Sequence, residues 1–531
     1  MDQTANYLSY ESTGYFSRIV SDYLSQSPLL KPFYQHTPDL EGIKASINTR
    51  QVFPNNRTLL VDVLTQQYVN MELSEKLKNN LSLLAHKNTF TITTAHQPNI
   101  FTGPLYFIYK ILHAVKLAEE LAAEMPQYKF VPVYYMGSED ADLDELGYVN
   151  VGGQKLVWET KQTGAVGRMK VDKGLLKLIE AIYGQAGVLP FGNEWTDLLK
   201  RCYREGTTIQ QATLELVNAL FGEYGLVVLE PDNAKLKSVF HQVIEKELTE
   251  GFSHKAVAGT IEQLAKNYKV QAGGRDLNLF YLIDDKRERI ELQDSKYEVR
   301  TLGLTFTQEE ILQELKDHPE RFSANVILRG AFQETVLPNI AFIGGGGELA
   351  YWMELKNVFE AVQIPYPVLL LRNSFLVRTG EQADKWQKLG FTDADLFKEE
   401  LSLINTLVKR ESDHQLSLAR ELQEAHAYYA HLRSVTDAVD KTLSEHLLSL
   451  EKKAIKRLTE LEKKLLRAER LKYEVQQKQI SKIKQDLFAN KSLQERSDNL
   501  SLYYAANGKG WIQMILDVST GFNQGFGVVT V

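Results

Sequence analysis

Short apolar runs alternate with helical stretches through most of the chain. TFTITTA (89–95) precedes PLYFIYKILHAVKLAEELAAE (104–124), and KFVPVYYM (129–136) follows it. GLVVLE (225–230) leads into AKLKSVFHQVIEKEL (234–248), and IAFIGGGG (340–347) into ELAYWMELKNVFEAV (348–362), before PYPVLLL (365–371). The short runs lack strict alternation, which is how strands buried on both faces read. Joined by helices, they make a parallel sheet covered on both sides. The expected core is a doubly wound α/β domain over 89–150, 221–254 and 325–390. A helical segment (1–88) precedes it, and 151–220 and 255–324 are inserted as connecting subdomains.

Beyond Pro367 there is no proline, and no glycine falls between Gly390 and Gly508. That segment is rich in Leu, Lys, Glu and Gln, so long helices are expected over 391–495, with 496–531 returning to the core. Leu443, Leu447, Leu450, Ala454, Leu458, Leu461, Leu465 and Ala468 recur at spacings of three and four. This is a coiled-coil seam with a stutter. Asp395–Thr436 is also helical in pattern, giving an expected antiparallel hairpin that dimerises the protein or covers its substrate.

The 531 residues exceed what one core usually serves, and 44% hydrophobic content suits a globular protein. A net charge of −7 gives no general attraction to nucleic acid or to anionic membrane. No apolar stretch approaches the roughly 20 residues of a membrane span. The N-terminal MDQTANYLSYESTGYF lacks a signal-peptide pattern, so a cytoplasmic protein is expected. The single cysteine, Cys202, excludes an internal disulfide; between basic residues on a helix it is either a structural residue or a low-pKa nucleophile.

Four strand ends carry candidate chemistry. After the first come His96, Gln97, Asn99, Thr102 and Gly103, with Pro104 at the expected first position of a helix. The free amides of that helix start would attract an anion; alternatively this is a polar turn with Thr102 as N-cap. After the second, Ser138 is followed by Glu139, Asp140, Asp142, Asp144 and Glu145. Five crowded carboxylates need solvent, a cation or an ammonium group to face. The third site joins Arg329, a fork for carboxylate or phosphate, to Gly344, Gly345, Gly346 and Gly347 and then Glu348. Those glycines open a helix and suit phosphate, although their spacing matches neither a Walker loop nor the dinucleotide fingerprint. At the fourth, Arg372 complements an acid, or Asn373 or Ser374 caps a helix. No nucleophile elbow and no metal-ligand spacing is present, so no metal site is expected.

The strings HQPNIFTGPLYFIYK, FVPVYYMGSED-x-D-x-DE, GAVGRM, RFSANVILRGAFQETVLPNIAFIGGGGELAYW and LQERSDNL, in order along the chain, resemble the bacillithiol-biosynthesis cysteine-adding enzymes. The resemblance implies a Rossmann-like core, connecting subdomains and a dimerising coiled coil. It also implies a ligase that adds L-cysteine to the amine of glucosaminyl-malate to form an amide. On that reading His96, Glu139 and Asp140 are catalytic. The substrate ligands would be Gln97, Asn99, Thr102, Gly103, Ser138, Asp142, Arg329, Gln333, Glu348, Tyr351, Arg372 and Asn373. The amines would face Glu139, Asp140 and Asp142, and the acids His96, Arg329 and the glycine amides. Two positions depart from the family pattern, Ala141 where a histidine is usual and Gly330 where a proline is.

A carboxylate forms no amide in water without activation, so ATP with Mg²⁺ is the expected donor. An adenylate is the form suggested by a fold-level analogy to class I aminoacyl-tRNA synthetases, although no KMSKS-like loop is found. Two alternatives stand beside this: a nucleotide-dependent ligase or transferase for another amino sugar or amino acid, and a non-catalytic coiled-coil scaffold with a metabolite-binding domain.

Overall fold

A computed structural model describes residues 4–271 and 273–531. Five of the apolar runs form one sheet: β1 (Thr89–His96), β2 (Lys129–Met136), β3 (Val227–Leu229), β4 (Asn339–Gly344) and β5 (Val368–Leu371). All pair in parallel, in the order β5-β4-β1-β2-β3. Read from the other edge this is 3-2-1-4-5, the order of a Rossmann-type sheet. The order reverses between β1 and β4, and such sheets bind ligands beyond the carboxyl ends of the strands at that reversal.

Burial explains why these segments are strands. Every residue of β4 and β5 is buried, and β1 is buried except at Ala95. Helix α1 (Tyr106–Glu124) lays Ala114, Leu117, Ala118 and Leu121 into a core shared with Phe90, Ile92, Phe130, Ile340 and Ile343. Each such leucine contributes about 1.5–3 kcal/mol on burial. Helix α2 (Val326–Val336) leads into β4, and α3 (Gly346–Glu354) leaves it.

The chain divides into two compact units, one holding 7–376 with 493–527, the other 377–492 with the two ends of the chain. The second contains the helical hairpin, α4 (Ala419–Val439) against α5 (Leu443–Arg470). Its first arm starts later than expected. A turn at Asp393–Phe397, a helix at Glu400–Glu411 and a break precede it. At the break Ser412 Oγ accepts from His414 N at 3.1 Å and donates to Glu469 at 2.9 Å. Local side-chain bonds of this kind interrupt a helix without any proline or glycine. No helix among the described residues is long and apolar enough to cross a membrane.

At the amino end of the sheet, Arg50 meets Glu334 at 2.6 Å with both side chains buried. Asn339, which opens β4, donates to the same carboxylate at 2.7 Å and accepts from Thr93 at 2.8 Å. Glu334→Ala leaves Arg50 as a buried unpaired charge and is expected to lower unfolding free energy by about 3–5 kcal/mol. Guanidinium titration measures this; a loss below about 1 kcal/mol would mean that water replaces the carboxylate.

Candidate active site

A cavity of about 260 Å³ sits at the reversal of strand order, lined by His96 and Gln97 after β1, Gly345–Gly347 and Glu348 after β4, and Arg372 after β5. Tyr106 and Lys110 enter from α1, Arg329 from α2, Tyr351 from α3, and Glu145 and Arg496 from loop segments. Four cations and two carboxylates therefore share one small space.

Their commitments differ. Arg372 is buried and forked onto Glu495, at 2.6 and 2.9 Å, and also donates to Ser374 Oγ at 2.9 Å. Its guanidinium lies over Tyr106, 5.2 Å from the ring centre. Lys110 is buried, ion-paired with Glu348, and donates to Ala95 O at 2.9 Å. Glu348 also accepts from Gly345 N at 2.8 Å, closing the first turn of α3. Arg329 hydrogen-bonds Tyr351, with Asp140 nearby. Arg496 is exposed and has no ion-pair partner among the described residues.

This field sets the state of His96. Burial, followed by the charges of Lys110, Arg329 and Arg372, pushes its imidazole well below the ordinary value. His96 is therefore neutral near pH 7 and offers a ligand a hydrogen bond, not a charge; its buried Nε2 has no partner. Burial raises Glu145, reinforced by Asp142 and Asp140. Burial together with Glu348 raises the Tyr351 phenol to about 12, so it stays protonated.

None of the four glycines has positive φ, and two of them are needed for space. A Cβ on Gly344 would meet Phe342 at 2.8 Å, and one on Gly346 would meet Val20 at 2.9 Å. Gly347 has no heavy atom within 4 Å of its Cβ position, so the helix start is open to a ligand there.

The turn after β1 is strained. Phe101, Thr102 and Gly103 follow one another at φ 51°, 73° and 62°. Asn499 clamps it, its amide donating to Phe101 O at 2.8 Å and Gly103 O at 2.6 Å. Tyr203 OH accepts from Phe101 N at 3.0 Å. Helix α1 starts two residues after Pro104, and Leu105 N is taken by Asp498 O at 2.8 Å. The expected anion site at that helix start is thus closed by the chain itself. Thr102 is no cap either: its hydroxyl is buried without a partner.

Other expected ligands are used elsewhere. Glu139 is ion-paired with buried Lys237 and accepts from Ser323 at 3.1 Å. Asp140 accepts from Gln97 at 3.1 Å, and Asp142 caps the Leu143–Leu146 turn. Of the five acids only Glu145 lines the cavity. Ser138 is buried beneath Gly167, whose amide donates to its carbonyl at 2.9 Å. Asn99 reaches Glu145 O at 3.4 Å and does not line the cavity. Gln333 lies one helical turn past Arg329, roughly 6 Å toward the amino end of the sheet, and bonds Glu334 at 2.9 Å. Asn373 ties down Thr520 and caps nothing, because strand Ser374–Arg378 follows where a helix was an alternative. Gly330 leaves room for Trp352, 3.2 Å from its Cβ position, and Ala141 is exposed. Burial first, then Glu215, pushes the Cys202 thiol up to about 12, which removes it as a nucleophile.

Two family models account for the chain: the bacillithiol biosynthesis BshC N-terminal Rossmann-like domain over residues 3–373, and the BshC C-terminal coiled-coil domain over 375–531. The chain belongs to the BshC family. A relative from Flavobacterium johnsoniae, named "Putative cysteine ligase BshC", is 40% identical over 99% of both chains. One of the same name from Christiangramia forsetii is 38% identical, again over 99% of both. The arginyl-tRNA synthetase of Thermus thermophilus aligns at a TM-score of only 0.18 and 10% identity, over 86% of this chain and 84% of that one.

Within this family frame, the string LQERSDNL acquires a structural meaning that the sequence left open. It carries Glu495, Arg496, Asp498 and Asn499 to the cavity and to the strained turn. Lys110 and Tyr106, also missed, sit at helical spacing on α1, where the signal was a lysine inside an otherwise apolar face. Asn499→Ala strands two carbonyls and is expected to cost about 1–3 kcal/mol, read by chemical unfolding; no measurable loss would show that the turn holds itself. The neutral His96 gives a second expectation. Its folded pKa lies below the unfolded value, so its contribution to stability falls as pH drops below about 6.5. His96→Gln should flatten the stability-versus-pH curve between pH 7 and 5, and an unchanged slope would place the proton elsewhere.

Proposed function

We propose that this chain is a cysteine ligase that forms an amide between the carboxyl of L-cysteine and the amine of glucosaminyl-malate. The observation that carries the reading is the cation-rich cavity at the strand-order reversal, in a chain that matches its family from end to end. A malate group brings carboxylates to such a site. Of its cations, Arg496 is the one not already neutralised by a carboxylate or engaged by a buried partner, and we assign it to the acid of the acceptor.

Cysteine's carboxyl needs a leaving group, which ATP supplies when bound. The open start of α3 at Gly347, beside Arg329 and Lys110, fits phosphate oxygens. No group of three or more His, Cys, Asp or Glu suited to a metal occurs among the described residues. Magnesium would accordingly be held largely through the phosphates. Once the carboxyl is activated, the amine nitrogen attacks its carbon, the leaving group departs, and one proton leaves the nitrogen. Glu145, the cavity acid with a raised pKa, is the group we assign to take it. Neutral His96 orients the ligand through Nε2. The hairpin's Leu443, Leu450 and Leu461 are each about 40% exposed or more, and we assign them to a homodimer contact.

Mass spectrometry of the protein with cysteine and glucosaminyl-malate, with and without ATP and Mg²⁺, tests the reading. The expected product carries one added cysteine residue and requires ATP; its absence in every mixture sinks the assignment. Arg496→Ala should raise KM for the acceptor about 10- to 100-fold while leaving kcat within a few-fold, the loss of one charge-assisted contact of about 1.5–3 kcal/mol. An unchanged KM would move the acid to Arg329.

A further inference from the structure

A second cavity, of about 1290 Å³, runs beside the edge strand β3, with Gly222 and Glu223 before the strand and Glu230 at its carboxyl end. One wall is the segment Gln66–Ser74, another the Ile209–Phe221 helix, and Glu230 lines it directly after β3. Leu229 pairs with Tyr135, and Met136 with His96. Glu230 is therefore about two strand spacings, roughly 10 Å, from His96 in the sheet.

The walls are built without a ligand. Gln67 donates to Val228 O at 2.8 Å and accepts from Glu230 N at 3.0 Å. Ser74 donates to Gly222 O at 2.6 Å, and Asn218 to Glu72 O at 3.1 Å. Several of the charges are already spent. Arg204 is forked onto Glu215 at 2.7 and 2.8 Å, and Glu223 meets Lys509 at 3.1 Å. Glu230 is different. Its side chain is partly buried, its enclosed Oε1 accepts no hydrogen bond, and no cation pairs with it among the described residues. Asn218 Oδ1 is a second enclosed acceptor without a donor. A buried carboxylate costs several kcal/mol unless paired, and burial, followed by Asp232, accordingly pushes Glu230 up to about 7.

The missing complement is a donor-rich cation. The lining also holds Glu72 and Arg201, so four carboxylates face two guanidiniums, and it offers amides and hydroxyls such as Gln66, Asn70, Thr207 and Thr208 and no aromatic ring. That surface suits a hydroxylated ligand and gives no stacking platform for a base. We propose that this cavity is a second binding site, which takes a primary amine bearing hydroxyl groups by seating its ammonium on Glu230. The proposal does not rest on the ligase reading, since it concerns binding at a different strand end.

The test is isothermal titration of the full chain with D-glucosamine, and with D-glucose as the analogue lacking the amine. Glucosamine should bind at least ten times more tightly than glucose. Glu230→Gln, close to isosteric, should remove that preference, and Asn218→Ala should weaken binding several-fold if the first variant does not fold. The preference that Glu230→Gln removes should persist in Glu145→Gln, which alters the first cavity alone. Binding lost in Glu145→Gln but kept in Glu230→Gln would assign the amine to the first cavity and overturn the proposal. Equal binding of the two sugars, or no heat at tens of millimolar amine, would overturn it as well.

Discussion

The site depends on one buried ion pair. Arg372 leaves β5 at the carboxyl end of the sheet, and Glu495 reaches it from more than a hundred residues later in the chain. Both side chains are almost wholly shielded from water, so breaking the pair would leave a bare charge at a cost of about 3–5 kcal/mol. The pairing is two-pronged, which fixes orientation as well as distance. With Glu495 fixed, its neighbours follow. Arg496 is delivered to the cavity, and Asn499 to the carbonyls of the turn behind β1. A single contact thereby brings a remote segment into the crevice that the strand order creates.

The same pair explains why so many cations coexist. Lys110, Arg329, Arg372 and Arg496 all line a cavity of about 260 Å³. Glu348 and Glu495 take up Lys110 and Arg372 from within the fold. What remains for a ligand is a moderate positive field, a neutral histidine and an open helix start. Burial first, and then the same charges, keep His96 neutral, so it serves as a hydrogen-bonding group. A site built this way discriminates through acids on the ligand and tolerates little added cation near β1.

The sheet is readable because parallel strands buried on both faces are written as unbroken apolar runs, and β2, β3, β4 and β5 each carry one, while β1 sets threonines between its apolar residues. The hairpin was readable from its seam, yet its first arm was drawn too long, because the break at Ser412–Leu418 is made by side-chain hydrogen bonds without proline or glycine. At the site, His96, Gln97, Arg329, Gly345–Gly347, Glu348, Tyr351 and Arg372 do meet, since the rule about strand ends selects them. The acidic loop misled for a physical reason. Crowded carboxylates repel, so the fold disperses them: Glu139 to Lys237, Asp140 to Gln97 and Asp142 to a cap, leaving Glu145 alone at the cavity. Lys110 and Asn499 were invisible because partners distant in sequence give them their meaning.

Stability is given up around the site in a consistent place. Three successive residues hold left-handed backbone at Phe101–Gly103, and the hydroxyl of Thr102, the amide oxygen of Asn99 and Nε2 of His96 are buried without partners. Each orphaned group costs about 1–3 kcal/mol, and left-handed backbone at Phe101 and Thr102 adds a further cost of about 1–3 kcal/mol per residue. These departures lie within seven residues of one another, at the end of β1 and directly after it, and the adjacent Asp498 and Asn499, together with Tyr203, hold the segment. Of these three groups only His96 lines the cavity, so its Nε2 alone is placed where a ligand can meet it. Strain concentrated beside the strand-order reversal, and restrained by the segment that Arg372 anchors, is what distinguishes this crevice from an ordinary end of a parallel sheet.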